Sequence, residues 1–143
     1  MLHWSGVNRF FSMKHFLLMI AAVVLMGCGE NSPIVEIADP IVERAVRYRL
    51  NKPTGELTKK DLGKVKTLGL GYSQITDASL KEVAKLENLI QLDLRFTPIT
   101  DAGLKEAAKM KNLTQLFLAD TKVTKAGVGQ LQKELPRCYI IGL

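Results

Sequence analysis

The sequence is poor in the residues that most chemistry requires. Its only two histidines, His3 and His15, stand within the first fifteen of 143 residues, and its only two cysteines, Cys28 and Cys138, lie 110 positions apart. Histidine is the side chain that most often moves protons or holds zinc near neutral pH, so the chain beyond residue 15 lacks the usual acid–base equipment. Cysteines so widely separated have neither metal-ligand nor redox-motif spacing. There is no GxSxG elbow, no phosphate-cradling glycine loop and no carboxylate pair outside repeated positions. A catalytic Cys138 would need an activating base, and the sequence offers none. These absences point away from an enzyme, a cofactor and a metal.

A membrane-spanning run is missing too. The uncharged apolar stretch from Phe16 to Met26 is eleven residues long, about 16 Å as a helix against a hydrocarbon core of roughly 30 Å. Lys14 precedes it and the small residue Gly27 follows. Positive, apolar, small is the order of a secretory signal peptide, so residues 1–27 are expected to be removed, with Met13 as a natural start. Processing discards both histidines and takes the formal charge from +6 to +4, because Arg9 and Lys14 leave and no acidic residue does.

The segment Leu25-Met26-Gly27-Cys28 resembles the lipobox of bacterial lipoproteins. The resemblance implies that the Cys28 thiol carries a diacylglycerol, that the bond before it is cut, and that the new amino terminus is usually acylated as well. Met26 departs from the more usual Ala, Ser or Thr. Residues 28–38 then read as a lipidated cysteine and a polar tether. One chain, at roughly 0.8 kcal/mol per buried CH₂, holds a protein only reversibly, whereas two or more hold it firmly. Gly29 after the cysteine resembles lipoproteins released to the outer membrane. The expected location is the cell envelope, secreted and anchored to a membrane by lipid.

What fills the second half of the chain is repetition. At a spacing of 24, Leu68, Leu92 and Leu116 coincide, as do Leu70, Leu94 and Leu118, and Val65, Leu89 and Leu113. Ser73, Thr97 and Thr121 share a column, then Ile75, Ile99 and Val123, and then Leu80, Leu104 and Val128. A fixed period of this size marks a solenoid. Each unit carries an L-x-L alternation that suits a short strand and, about ten residues later, a helical apolar pattern. Thr-Asp offers a helix start, either oxygen being able to accept an orphan N–H. Asn88 and Asn112 suit the left-handed residue past a helix end. Two helices and their turns would need about 34 residues, so the unit is one strand and one helix.

The pattern LxxLxLxxTxITDAGLKEAAKxxN resembles a leucine-rich repeat of the cysteine-containing kind, with Ser or Thr at 73, 97 and 121 in place of the familiar asparagine or cysteine. It covers residues 65–143 and implies an α/β solenoid, a right-handed β-α superhelix with a parallel sheet on its concave side. In that family the polar side chain bonds backbone groups in the turn, which a hydroxyl can also do. A 25-residue shift sets Leu135, Cys138, Ile141 and Leu143 on Met110, Leu113, Leu116 and Leu118, and makes Cys138 a buried strand residue. Residues 39–64 hold two capped helix starts, Asp39-Pro40 and Thr58 with Asp61. They resemble the helical cap of internalin-type surface proteins, which would cover the core of the first repeat.

Residues between and after the strand leucines are expected to face outward: Thr67, Gly69, Gly71 and Tyr72, then Gln91, Asp93, Arg95 and Phe96, then Gln115, Phe117, Ala119 and Asp120. An exposed Phe117 beside Arg95 and Asp93 is the best candidate patch, since aromatics and arginine dominate interface energies. The partner expected is a protein or a cell-envelope polymer. Nucleic acid is not expected, because the chain is read as secreted and has no aromatic–basic groove motif. The helix lysines read as a solvated outer face. The alternative is an assembly component that self-associates through the solenoid's ends, for CYIIGL is followed by no polar cap and would leave an apolar edge strand.

Overall fold

A computed structural model describes residues 32–142, so the signal-peptide and lipobox readings, Cys28 and Leu143 lie outside the described residues. Two helices come first. Helix α1, Pro40–Leu50, starts where the Asp39 carboxylate accepts the N–H groups of Ile41 and Val42, with proline in the first turn, and stops at Asn51 in the left-handed conformation. Helix α2, Lys59–Lys64, opens with a reciprocal capping box between Thr58 and Asp61. Residues 32–38 are not a free tether. Ile37 is buried, Val35 donates to the Leu57 carbonyl at 2.8 Å, and Ile34 forms an antiparallel bridge with Thr58.

Asp61 also carries a stability prediction. The Lys52 ammonium, 2.8 Å away, is the main cause that holds its carboxyl far below the usual carboxylate range, with Thr58 and Lys64 adding to it against desolvation. A depressed folded-state pKa contributes stability that is complete above the unfolded value near 4 and is lost as the pH falls below it. In urea titrations at pH 7 and pH 3, Asp61→Asn should therefore shrink the acid-induced loss seen in the parent. An unchanged loss would remove Asp61 from the account.

Four short strands follow, each separated from the next by a helix: β1 Thr67–Gly69, α3 Ser79–Val83, β2 Gln91–Asp93, α4 Asp101–Ala107, β3 Gln115–Phe117, α5 Lys125–Glu134 and β4 Tyr139–Ile141. The strands pair in parallel in chain order. Register sets Leu68 beside Leu92 and Leu92 beside Leu116, as the 24-residue period requires. Burial follows the same columns: Val65, Leu89 and Leu113, the six strand leucines, Ile75 and Ile99, and Leu80 and Leu104 form one continuous core. Val123 and Val128, their counterparts in the last unit, are only partly buried.

The hydroxyls at the turn act as the repeat pattern implies. Ser73, Thr97 and Thr121 donate to the carbonyls of Leu70, Leu94 and Leu118 at 2.5, 2.6 and 2.8 Å. Other polar positions depart from expectation. Asn88 and Asn112 are not left-handed; their side-chain amides reach back one unit, to the carbonyls of Gly63 and Glu87. The Thr-Asp pairs divide their work. Thr100 and Thr124 cap their own helices, whereas Asp77 and Asp101 accept both the N–H and the hydroxyl of Thr100 and Thr124 in the following unit, at 2.7 to 2.9 Å. Asp39 makes the corresponding link from α1 to the buried Ser79 hydroxyl at 2.5 Å. At the next position of the series stands Lys125, which has no acceptor to offer.

The last strand corrects the 25-residue shift. Cys138 is buried and donates to the Leu135 carbonyl as Leu113 does to that of Met110, so the extra residue lies before it as expected. It precedes the strand, however, and one residue is lost straight after it. Ile140, not Ile141, pairs with Leu116, and Ile141 pairs with Phe117. Burial pushes the Cys138 thiol above its ordinary pKa, the opposite of what a nucleophile needs.

Candidate binding face

The strand residues between the core leucines form lateral rows across the sheet. One row is Thr67, Gln91, Gln115 and Tyr139; the next is Gly69, Asp93, Phe117 and Ile141. Gln115 is exposed, while Gln91 and Asp93 are half-buried. Phe117 is half-buried as well, not exposed as the sequence suggested. The reason is Arg95, whose guanidinium lies 5.4 Å from the centre of the Phe117 ring, within the range of a cation–π contact.

Arg95 is fixed from its other side by Asp93. The carboxylate accepts Arg95 Nε at 2.9 Å, Nη2 at 2.6 Å and the Arg95 backbone N–H at 3.0 Å. This fork-on-carboxylate geometry is the strong form of a charged pair, and it holds the Asp93 carboxyl below the usual carboxylate range. Gly71 leaves room for it, since a Cβ there would come within 3.3 Å of Asp93 Oδ1 and 3.1 Å of the Arg95 carbonyl. Asp93, Arg95 and Phe117 are thus brought together as one preset unit.

Phe96 belongs to a different row. It does not continue the strand face; its φ of 56° is left-handed, like Tyr72 at 58° and Asp120 at 55°. Left-handed backbone costs an ordinary L-residue about 1–2 kcal/mol and is normally left to Gly, Asn or Asp. The turn is nevertheless held, because the Tyr72 and Phe96 N–H groups donate to the Arg95 and Ala119 carbonyls of the following unit at 2.9 Å. It throws the two rings outward, where they stack at 4.4 Å with an interplanar angle of 16°. Tyr72 is 76% exposed and Phe96 43%, so much of this aromatic surface stays in water. The sequence set both Tyr72 and Phe96 among the outward-facing residues but did not foresee that they stack; the shared column of Tyr72, Phe96 and Asp120 was the available signal.

No protein-family model matches the chain, and comparison with curated proteins gives no match. Solved structures do resemble it. Internalin C2 from Listeria monocytogenes is 21% identical, with a TM-score of 0.53 over 80% of this chain and 59% of its own. An internalin (inlF) from the same species is 17% identical, with a TM-score of 0.51 over 73% of this chain and 36% of its own. A leucine-rich repeat protein from Leptospira interrogans is 25% identical, at a TM-score of 0.45 over 59% of this chain and 22% of its own. The chain thus spans less than two thirds of each of these structures. The two internalin likenesses show the fold, that of leucine-rich repeat proteins, and the fold alone.

Proposed function

We propose that the chain is a lipid-anchored cell-envelope protein of the leucine-rich repeat kind, a short capped solenoid that binds rather than catalyses. Its partner, a protein or an envelope polymer, lies on the sheet face and its adjoining turn row. The observation that carries this reading is the continuity of Asp93, Arg95 and Phe117 with the exposed Tyr72–Phe96 stack. A fixed guanidinium and rigid rings lose little freedom when a partner arrives, which is where binding free energy is most often squandered. They are also the residue types that dominate interface energies.

The test is affinity capture from envelope extract with the processed protein, and with Arg95→Ala/Phe117→Ala and Lys105→Ala variants checked for folding by circular dichroism. A genuine partner is captured by the parent and by the Lys105 variant, which alters the outer helix face. It is lost at least tenfold, about 1.4 kcal/mol, from the double variant. Equal capture by all three overturns the face assignment. Self-association is the separate outcome in which light scattering finds a concentration-dependent oligomer with no partner present.

A further inference from the structure

We propose that the outward row of Gln91, Gln115 and Tyr139 seats a neutral, extended polysaccharide that runs across the sheet, one sugar unit to each strand. The proposal rests on the reading of the sheet face as the binding surface and names the chemistry of its partner. Among the described residues, neither glutamine amide nor the Tyr139 hydroxyl has a hydrogen-bond partner. Thr67, at the β1 end of the row, is already covered. The Arg49 guanidinium donates to its carbonyl at 3.0 Å and also to its hydroxyl. Three polar side chains on adjacent strands therefore remain uncommitted, and Gln115 and Tyr139 are exposed.

Spacing separates the candidate partners. Register puts the three side chains side by side on neighbouring strands, so they recur about every 4.8 Å. An extended peptide repeats equivalent groups only every second residue, about 6.6–6.8 Å, and its main chain pairs with a sheet at the edge rather than across the face. A pyranose unit in an extended β-1,4-linked chain is close in length to the strand spacing, so successive sugars meet successive side chains. Sugar hydroxyls both donate and accept, as primary amides and a phenol also do. A folded protein fits less well. Four strands of three residues make a face of roughly 200 Å² in projection, against about 800 Å² of accessible surface per partner in a stable interface. Charge does not select the ligand, because the adjoining Asp93 and Arg95 satisfy each other and Arg49 stands at the covered end. The 70% exposed Tyr139 ring, and Phe117 two residues beyond Gln115, give apolar surface to the C–H faces of the sugars.

The processed protein is titrated by calorimetry with chitohexaose and with the cello-oligosaccharides from glucose to cellohexaose. At least one hexasaccharide should bind, glucose should not, and raised salt should leave the affinity unchanged. Gln91→Ala/Gln115→Ala should weaken that binding at least tenfold, and Lys105→Ala on the outer helix face should not alter it. Neither amide is bonded within the protein, so the glutamine pair leaves no group unpaired, and circular dichroism checks its fold. If neither hexasaccharide binds, or the glutamine pair changes nothing, the polysaccharide assignment is overturned. An affinity that collapses with salt overturns its neutral character. Capture from envelope extract keeps this inference apart from the reading beneath it. A partner lost from Arg95→Ala/Phe117→Ala but kept by the glutamine pair leaves the face standing and removes the polysaccharide. Capture that ignores every one of these substitutions removes both.

Discussion

Leu92→Ala lowers the free energy of unfolding by about 2–5 kcal/mol, read from urea denaturation of the processed protein. Leu92 is fully buried in β2, with Leu68 on one side and Leu116 on the other. Truncating it opens a void that both neighbouring units line, so a local rearrangement cannot close it. Against a total of roughly 5–15 kcal/mol for a typical domain, the loss threatens the whole array. Val123→Ala is the comparison, because Val123 is aliphatic but only partly buried. It should cost distinctly less. If the two variants unfold at the same denaturant concentration, the stacked-leucine account of the core is wrong.

The leucine columns, the turn hydroxyls and the two capped helices were legible because each is a local or strictly periodic signal. A leucine every 24 residues says which side chains stack, and Thr58 followed by Asp61 says where a helix begins. What the repeats say to one another was hidden. Asn88, Asn112, Asp77 and Asp101 recur at the same period whether they bond within a unit or to a neighbour, and they do the latter. The last strand misled for a related reason. An extra residue before Cys138 is cancelled by a missing one just after it, and leucine spacing registers only the first.

The binding face was half legible. Alternation gave the outward positions Gln91, Asp93, Arg95, Gln115 and Phe117, but not that Arg95 would cover Phe117. Nor did it give the left-handed turn at Tyr72 and Phe96. Residue preference argues against aromatics there, and only Asp120 in the same column obeys that preference. The exposed stack exists because backbone bonds from one unit to the next override what the side chains alone would choose.

The inter-unit links make their own prediction, in which two glycine-to-alanine changes move stability in opposite directions. Both Gly103 and Gly129 are helical, and alanine favours a helix over glycine by up to about 1 kcal/mol. At Gly129 nothing lies within 4 Å of an added Cβ, so Gly129→Ala should stabilise by about 0.5–1 kcal/mol. At Gly103 the same Cβ would stand 2.5 Å from Asp77 Oδ1, 2.9 Å from Leu80 Cδ1 and 3.0 Å from Ile99 Cγ2. The Asp77 carboxylate cannot swing aside without releasing both the N–H and the hydroxyl of Thr100. Crowding of this kind costs about 1–3 kcal/mol, which outweighs the helical gain, so Gly103→Ala should destabilise. Adding Asp77→Ala removes the main obstacle along with the link, and the double variant should lose less than the two single losses combined. A Gly103→Ala protein as stable as the Gly129→Ala one would mean that no aspartate lies over the helix start. The proposed chain of contacts from Asp39 through Asp77 and Asp101 would then have to be abandoned.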